Sequence, residues 1–308
     1  MVVKSAIAYS HCQSPNGALM TQILTTLIDA DELARRLEIG GLRVIDCRFQ
    51  LTDPTAGRAA YLRGHIPTAV YADLEADLSA PVSPDSGRHP LPDRHEFEAT
   101  LGMLGVSSSQ QVVVYDDAGG AYAARLWWLL RWMGHGAVAV LNGGLQAWLA
   151  GGRSLEAGEV TAQRVRFLQG TPLAHAVEAE DILQSRVARL LDARGAERFA
   201  GDVEPIDTRA GHVPGAVNHP FTLSLDGGGR FLGRDALRAG LNTSLGEVAS
   251  GKAAAMCGSG VTACHLLLAM EVAGLGGAAL YPGSWSEWIR DPSRPVVTGA
   301  ADPRSAVT

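Results

Sequence analysis

Cys257-Gly258-Ser259-Gly260-Val261-Thr262-Ala263 follows the small-residue run Lys252-Ala253-Ala254-Ala255-Met256 and precedes the apolar run His265-Leu266-Leu267-Leu268-Ala269-Met270. A run of small residues, a glycine-rich turn and an apolar helical stretch, in that order, place Cys257 at the end of a parallel strand, beside the opening of a helix. The glycines on either side of Ser259 let the backbone curl so that successive N–H groups converge, a nest for an anion at a helix N-terminus. A thiolate is most readily stabilised in such a place. The alternative is a buried structural cysteine, the commoner fate of a free Cys, but a core cysteine needs no Gly-x-Gly beside it. Cys264, further along inside the helix, fits the core role.

The chain around this loop has 308 residues, 46% of them apolar, enough for two ordinary domains with a core each. Its net charge of -6 comes without a basic run, so a nucleic-acid partner is not expected. Cysteines at 12, 47, 257 and 264 form no CxxC pair, which leaves neither a zinc site nor a disulfide scaffold to expect. No cofactor or metal is implied. A lone reactive thiol points to a reducing compartment, and no apolar run is long enough to cross a bilayer, so the expectation is a cytoplasmic protein without a membrane partner. Residues 1–19 do not have the pattern of a secretory signal. They read as a loose arm, and Met20, just before the first folded patterning, is a candidate start.

Outward from the loop, the chain repeats itself. Arg43-Val44-Ile45-Asp46-Cys47-Arg48 matches Arg189-Leu190-Leu191-Asp192-Ala193-Arg194, and Gly64-His65-Ile66-Pro67 matches Gly211-His212-Val213-Pro214. Val112-Val113-Val114-Tyr115-Asp116 lines up with the run ending at Cys257, and Asn142-Gly143-Gly144-Leu145-Gln146-Ala147-Trp148 with the stretch 282–288. Four landmarks in the same order mean an internal duplication. Each copy alternates strands with helices: strand 111–115, helix 121–133, strand 137–141, helix 144–150 in the first. Asp29 and an acidic first turn open a helix through Leu37, with Asp29 as its cap. The pattern predicts an α/β protein with two mostly parallel sheets, each covered on both faces by helices, and the chemistry at the carboxyl ends of the strands. The expected divisions are an arm over 1–24, a first domain over 25–150, a surface linker over 151–174, a second domain over 175–297 and a tail over 298–308. Trp127, Trp128 and Trp132 read as core or interface packing.

CGSGVTA, with Tyr281-Pro282-Gly283-Ser284-Trp285-Ser286-Glu287-Trp288 behind it, resembles the active-site segment of the two-domain rhodanese-like sulfurtransferases, in the form associated with the 3-mercaptopyruvate branch. The resemblance implies tandem rhodanese-like domains of which only the second keeps the cysteine, and Asp116 stands at the matching place in the first. It implies that Cys257 takes a sulfur atom from a small-molecule donor, holds it as a persulfide and passes it to an acceptor: cyanide, a small thiol or a thioredoxin-like protein. The amides of Gly258, Gly260, Val261 and Thr262 would hold the anionic sulfur, with Thr262 capping the helix. By the same resemblance Ser259 belongs to a proton relay with His65 and, as candidate aspartate, Asp53. A structural role for His65 is the competing reading, because His212 repeats it. Arg198 matches an arginine that pairs with the substrate carboxylate. The family's second arginine follows a Glu-Pro pair, but Glu204-Pro205 is followed here by Ile206, so Arg209 is the nearest candidate. Arg88 and His89 are a further basic pair from the first domain, with a solvated loop as the alternative.

The donor expected on these grounds is 3-mercaptopyruvate, with thiosulfate as the alternative. Phosphatases of related fold need an arginine six positions after the cysteine, where this chain has Ala263. A regulatory domain without turnover is the other class, against which stands the complete loop of the second copy.

Overall fold

A computed structural model describes residues 22–300, and within them the chain forms two sheets. Leu27–Ile28 (β1), Leu42–Asp46 (β2), Val70–Tyr71 (β3), Gln111–Tyr115 (β4) and Val138–Leu141 (β5) make the first, in the order β1-β5-β4-β2-β3. Arg189–Asp192 (β6), Val217–Asn218 (β7), Ala253–Met256 (β8) and Ala279–Leu280 (β9) make the second, in the order β7-β6-β8-β9. All their pairings are parallel. The orders match strand for strand, and the counterpart of β1 is a single parallel bridge from Ala176 to Leu280. The duplication extends to side chains. Arg48 clamps Asp46 and donates to the Gly64 carbonyl at 2.7 Å, and Arg194 clamps Asp192 and donates to the Gly211 carbonyl at 2.9 Å.

Residues 112–115 of β4 and 253–256 of β8 form an unbroken buried, largely apolar run because helices cover both faces of the sheets. Two of those helices, Ala123–Trp132 and Thr262–Val272, are buried on nearly every side. A helix apolar all round has to be covered all round. They pack on each other, and one apolar cluster runs through both sheets. Trp127 and Trp128 lie inside it and Trp132 against its edge, stacked on Trp128.

Three local features differ from expectation. Asp29 precedes the helix Ala30–Ile39 but its side chain makes no capping bond. The stretch 151–174 carries no helix or strand and lies back along the first domain, yet it is more than a surface strap: Glu156 bridges His65, and Phe167 is buried beside His135. The beginning of the expected tail is also anchored, since Gly299 donates to the Ala200 carbonyl at 2.7 Å. Residues 1–21, with Cys12 and Met20, and 301–308 lie outside the described residues. No helix of the described residues is long and apolar enough to cross a membrane.

Asp116 directly follows β4, as Cys257 follows β8. Its carboxylate accepts four backbone bonds at 2.8 Å, from the amides of Ala118, Gly120, Tyr122 and Ala123. In the first copy the nest therefore holds a built-in anion, and Asp116 pins the loop. Asp116→Ala orphans these donors, and the expected loss is about 2–4 kcal/mol of stability in a denaturant melt. Mass spectrometry of the folded variant should still find one added sulfur on Cys257 after incubation with donor; complete loss of that sulfur would give Asp116 a chemical role.

Candidate active site

Cys257 is held by its backbone. Its amide donates to Ser284 Oγ at 3.0 Å, and its carbonyl accepts from the Trp285 amide at 3.0 Å. Ser284 takes a left-handed φ of 54°, and its hydroxyl also donates to the Tyr281 carbonyl. Gly260 has φ 77°, and a Cβ there would lie 2.4 Å from the Pro282 carbonyl oxygen, so the turn requires glycine. Among the described residues the amides of Ser259 to Thr262 have no protein acceptor. The side chain of Thr262 does not cap the helix: Val261 is at the N-cap, and no side chain bonds there.

The hydroxyl of Ser259 lies 2.8 Å from Nδ1 of His89, a residue of the first domain. Both are buried. Burial, with the charges of Arg125 and Arg88 adding to it, pushes the His89 pKa from 6.5 down to about 3. Its ring is therefore neutral in the physiological range. Arg125 fixes this arrangement from beneath. Its guanidinium donates to the carbonyls of His89 at 3.0 Å, Pro90 at 3.2 Å, Leu78 at 3.4 Å and Gly260 at 3.4 Å, tying the histidine loop of one domain to the cysteine loop of the other.

Two more guanidiniums meet at the residue after the cysteine. A Cβ on Gly258 would lie 2.9 Å from Arg88 Nη2 and 3.5 Å from Arg198 Nη1. Arg198 pairs with Glu204 at 2.7 Å and Asp207 at 3.2 Å, while Arg88 reaches across the domain boundary to Asp207.

The other expected residues lie elsewhere. His65 does not meet Ser259: its Nδ1 is 2.9 Å from the Tyr61 carbonyl and its ring stacks on Tyr61 at 4.2 Å. His212 does the same with Phe199, at 2.8 Å and 3.7 Å. The pair is a repeated structural contact, and His89 occupies the place expected for His65. Asp53 is exposed and bonds Thr55 at the start of the helix Thr55–Arg63, away from any relay. Arg209 offers its carbonyl to Trp285 Nε1, and its guanidinium has no ion-pair partner among the described residues. Cys264 is core, with burial raising its pKa to about 12. A sign of His89 was present in the sequence, a histidine between Arg88 and Pro90 in a proline-rich loop, but nothing local tells such a loop from a solvated one.

A cysteine at the carboxyl end of a parallel strand, followed by unpaired amides and faced by basic side chains, makes a thiol group-transfer site. Residues 29–151 match the family model described as a rhodanese-like domain. The chain is 48% identical over 279 residues to a Pseudomonas aeruginosa protein named for 3-mercaptopyruvate sulfurtransferase activity, covering 89% of this chain and 98% of that one. It is 44% identical over 281 residues, with the same coverages, to a Mycobacterium tuberculosis protein named as a thiosulfate sulfurtransferase. The structure of a 3-mercaptopyruvate sulfurtransferase from Leishmania major superposes with a TM-score of 0.77 at 33% identity, covering 90% of this chain and 75% of the other. The chain belongs to the rhodanese-like sulfurtransferases. It is a sulfurtransferase of two tandem domains, acting between a small sulfur donor and an acceptor.

The depressed pKa of His89 has a consequence for stability. In the unfolded chain its imidazole takes up a proton near pH 6.5, whereas in the folded protein it stays neutral to about pH 3. The unfolded state then binds more protons between these values, so stability is lost as pH falls from 6.5 toward 3. Thermal melts at pH 7 and pH 5 should show the loss, and His89→Gln should make it shallower; an unchanged slope would mean that His89 is protonated in the folded state.

Proposed function

We propose that this enzyme takes sulfur from 3-mercaptopyruvate onto Cys257 and passes it to a thiophilic acceptor, cyanide, a small thiol or a thioredoxin-like protein, in a reducing cytoplasm. The Cys257 thiolate attacks the donor sulfur, forming the S–S bond while the carbon–sulfur bond breaks. The bonding pair leaves with carbon as the enolate of pyruvate, which takes up a proton to give pyruvate. An acceptor then attacks the outer sulfur: cyanide leaves as thiocyanate, a thiol as its persulfide, and the Cys257 thiolate returns. Unpaired amides from Ser259 to Thr262 are suited to hold the anionic outer sulfur. Asp116, ringed by four amides in the equivalent turn, is the precedent for that arrangement within the same chain.

Ser259 and the neutral His89 supply a route for the proton that leaves the donor thiol and returns to the enolate. The observation that carries the donor assignment is the charge around Gly258. That residue and Ser259 bring no charge of their own, and the guanidiniums beside them are already balanced by Glu204 and Asp207. A dianion such as thiosulfate finds the two guanidiniums nearest Gly258 already matched by two carboxylates. A monocarboxylate gripped by Arg198 is compatible with that balance.

Cys257→Ser should fold and form no persulfide, because a serine hydroxyl is neither soft nor ionised at neutral pH. With one acceptor in common, 3-mercaptopyruvate should exceed thiosulfate in kcat/KM. Arg198→Ala should lower its value about ten- to a hundredfold, the loss of roughly 1.5–3 kcal/mol that goes with a charged hydrogen bond. A clear preference for thiosulfate would reverse the donor assignment and leave the class intact.

A further inference from the structure

The two carboxylates beside Arg198 are held in different ways. Glu204 belongs to its loop: besides Arg198 it accepts from the amides of Ile206 and Asp207, each at 3.1 Å, and Arg194 lies 3.6 Å away. The side chain of Asp207 has two partners, one oxygen on Arg88 from the first domain and the other on Arg198 from the second. Asp207 thus spans two guanidiniums that both lie against Gly258, next to a nucleophile only 2% exposed. Arg88 is further fixed by its amide, which donates to Ser286 Oγ at 3.1 Å, and a Cβ on Gly87 would lie 2.5 Å from the Gly283 carbonyl oxygen. The arginine therefore projects from a backbone pressed against the catalytic domain.

We propose that Asp207 occupies, in the free enzyme, the carboxylate clamp formed by Arg88 and Arg198 at the domain boundary, as an internal stand-in for the carboxylate of the donor. This rests on the reading of Arg198 as a donor-binding residue and adds its internal competitor. The exchange conserves charge: one carboxylate leaves the arginines and another arrives. Burial pushes the Asp207 carboxyl above its usual range even between the two arginines, so return to water offsets part of what Asp207 loses. Arg88 also supplies from the first domain the second guanidinium that Ile206, 42% exposed and uncharged, does not supply from the second. A bound internal carboxylate lowers the apparent affinity by the fraction of clamp left free; if a tenth is free, the factor is about ten.

The test measures alkylation of Cys257 by iodoacetate and by iodoacetamide, reagents that differ in a carboxylate, with the site read by peptide mass spectrometry. Asp207→Asn should raise the ratio of iodoacetate to iodoacetamide rates about tenfold, and adding Arg88→Ala to it should cancel the gain, with Arg88→Lys restoring part. The KM for 3-mercaptopyruvate should fall in Asp207→Asn by a similar factor. Equal acceleration of both reagents in Asp207→Asn would mean simple loosening of the loop and would overturn the clamp. So would an unchanged ratio in the double variant relative to Asp207→Asn. Because the alkylation ratio needs no sulfur transfer, a rise in the ratio without a persulfide from 3-mercaptopyruvate would keep the clamp and reject the donor.

Discussion

The mutual burial of the helices Ala123–Trp132 and Thr262–Val272 sets the position of everything at the site. Neither sequence has a polar face to offer to water, so each helix lies between its own sheet and the other helix. Each fully buried Leu, Phe or Met side chain contributes about 1.5–3 kcal/mol, and a handful of them outweigh the several kcal/mol that burial of one guanidinium costs. That surplus is what allows Arg125 to lie in the boundary. The active site is consequently shared: Arg88 and His89 come from one domain, and Cys257, Ser259, Arg198 and Asp207 from the other.

Most of the fold was legible because it is written in local pattern. The apolar strands, the glycine turn after β8 and the recurrence of Arg43–Arg48 as Arg189–Arg194 depend on neighbours in sequence. The site was legible only where the same held. Cys257 stands in its loop as expected, and Arg198 sits beside Gly258. His89 reaches Ser259 across 170 positions of sequence, in a loop without secondary structure. His65 looked the better partner because it sits in a recognisable motif, yet its repetition as His212 marks the structural use that both have. Asp53 and Thr262 were assigned by type and place, and backbone geometry gave each a local role.

The duplication shows one backbone device put to two uses. In both copies a turn at the end of a central strand gathers amide donors where negative charge is favourable. In the first copy the turn holds a fixed carboxylate, Asp116, and serves as a structural pin. In the second the residue at that place is a cysteine, and the amides beyond it have no protein acceptor among the described residues.

Arg125 restricts how the two halves can move. No carboxylate pairs with it among the described residues, and its bonds run to main-chain carbonyls of three separate segments, two in the first domain and one in the second. A carbonyl cannot follow a sliding guanidinium as a flexible carboxylate side chain would. Arg125 itself belongs to the first domain, so a shift of an ångström between the domains would stretch the one bond that crosses, to Gly260, while the other three hold the guanidinium in place. The joint is keyed rather than glued: a guanidinium anchored in one half engages a main-chain carbonyl of the loop that carries the sulfur in the other.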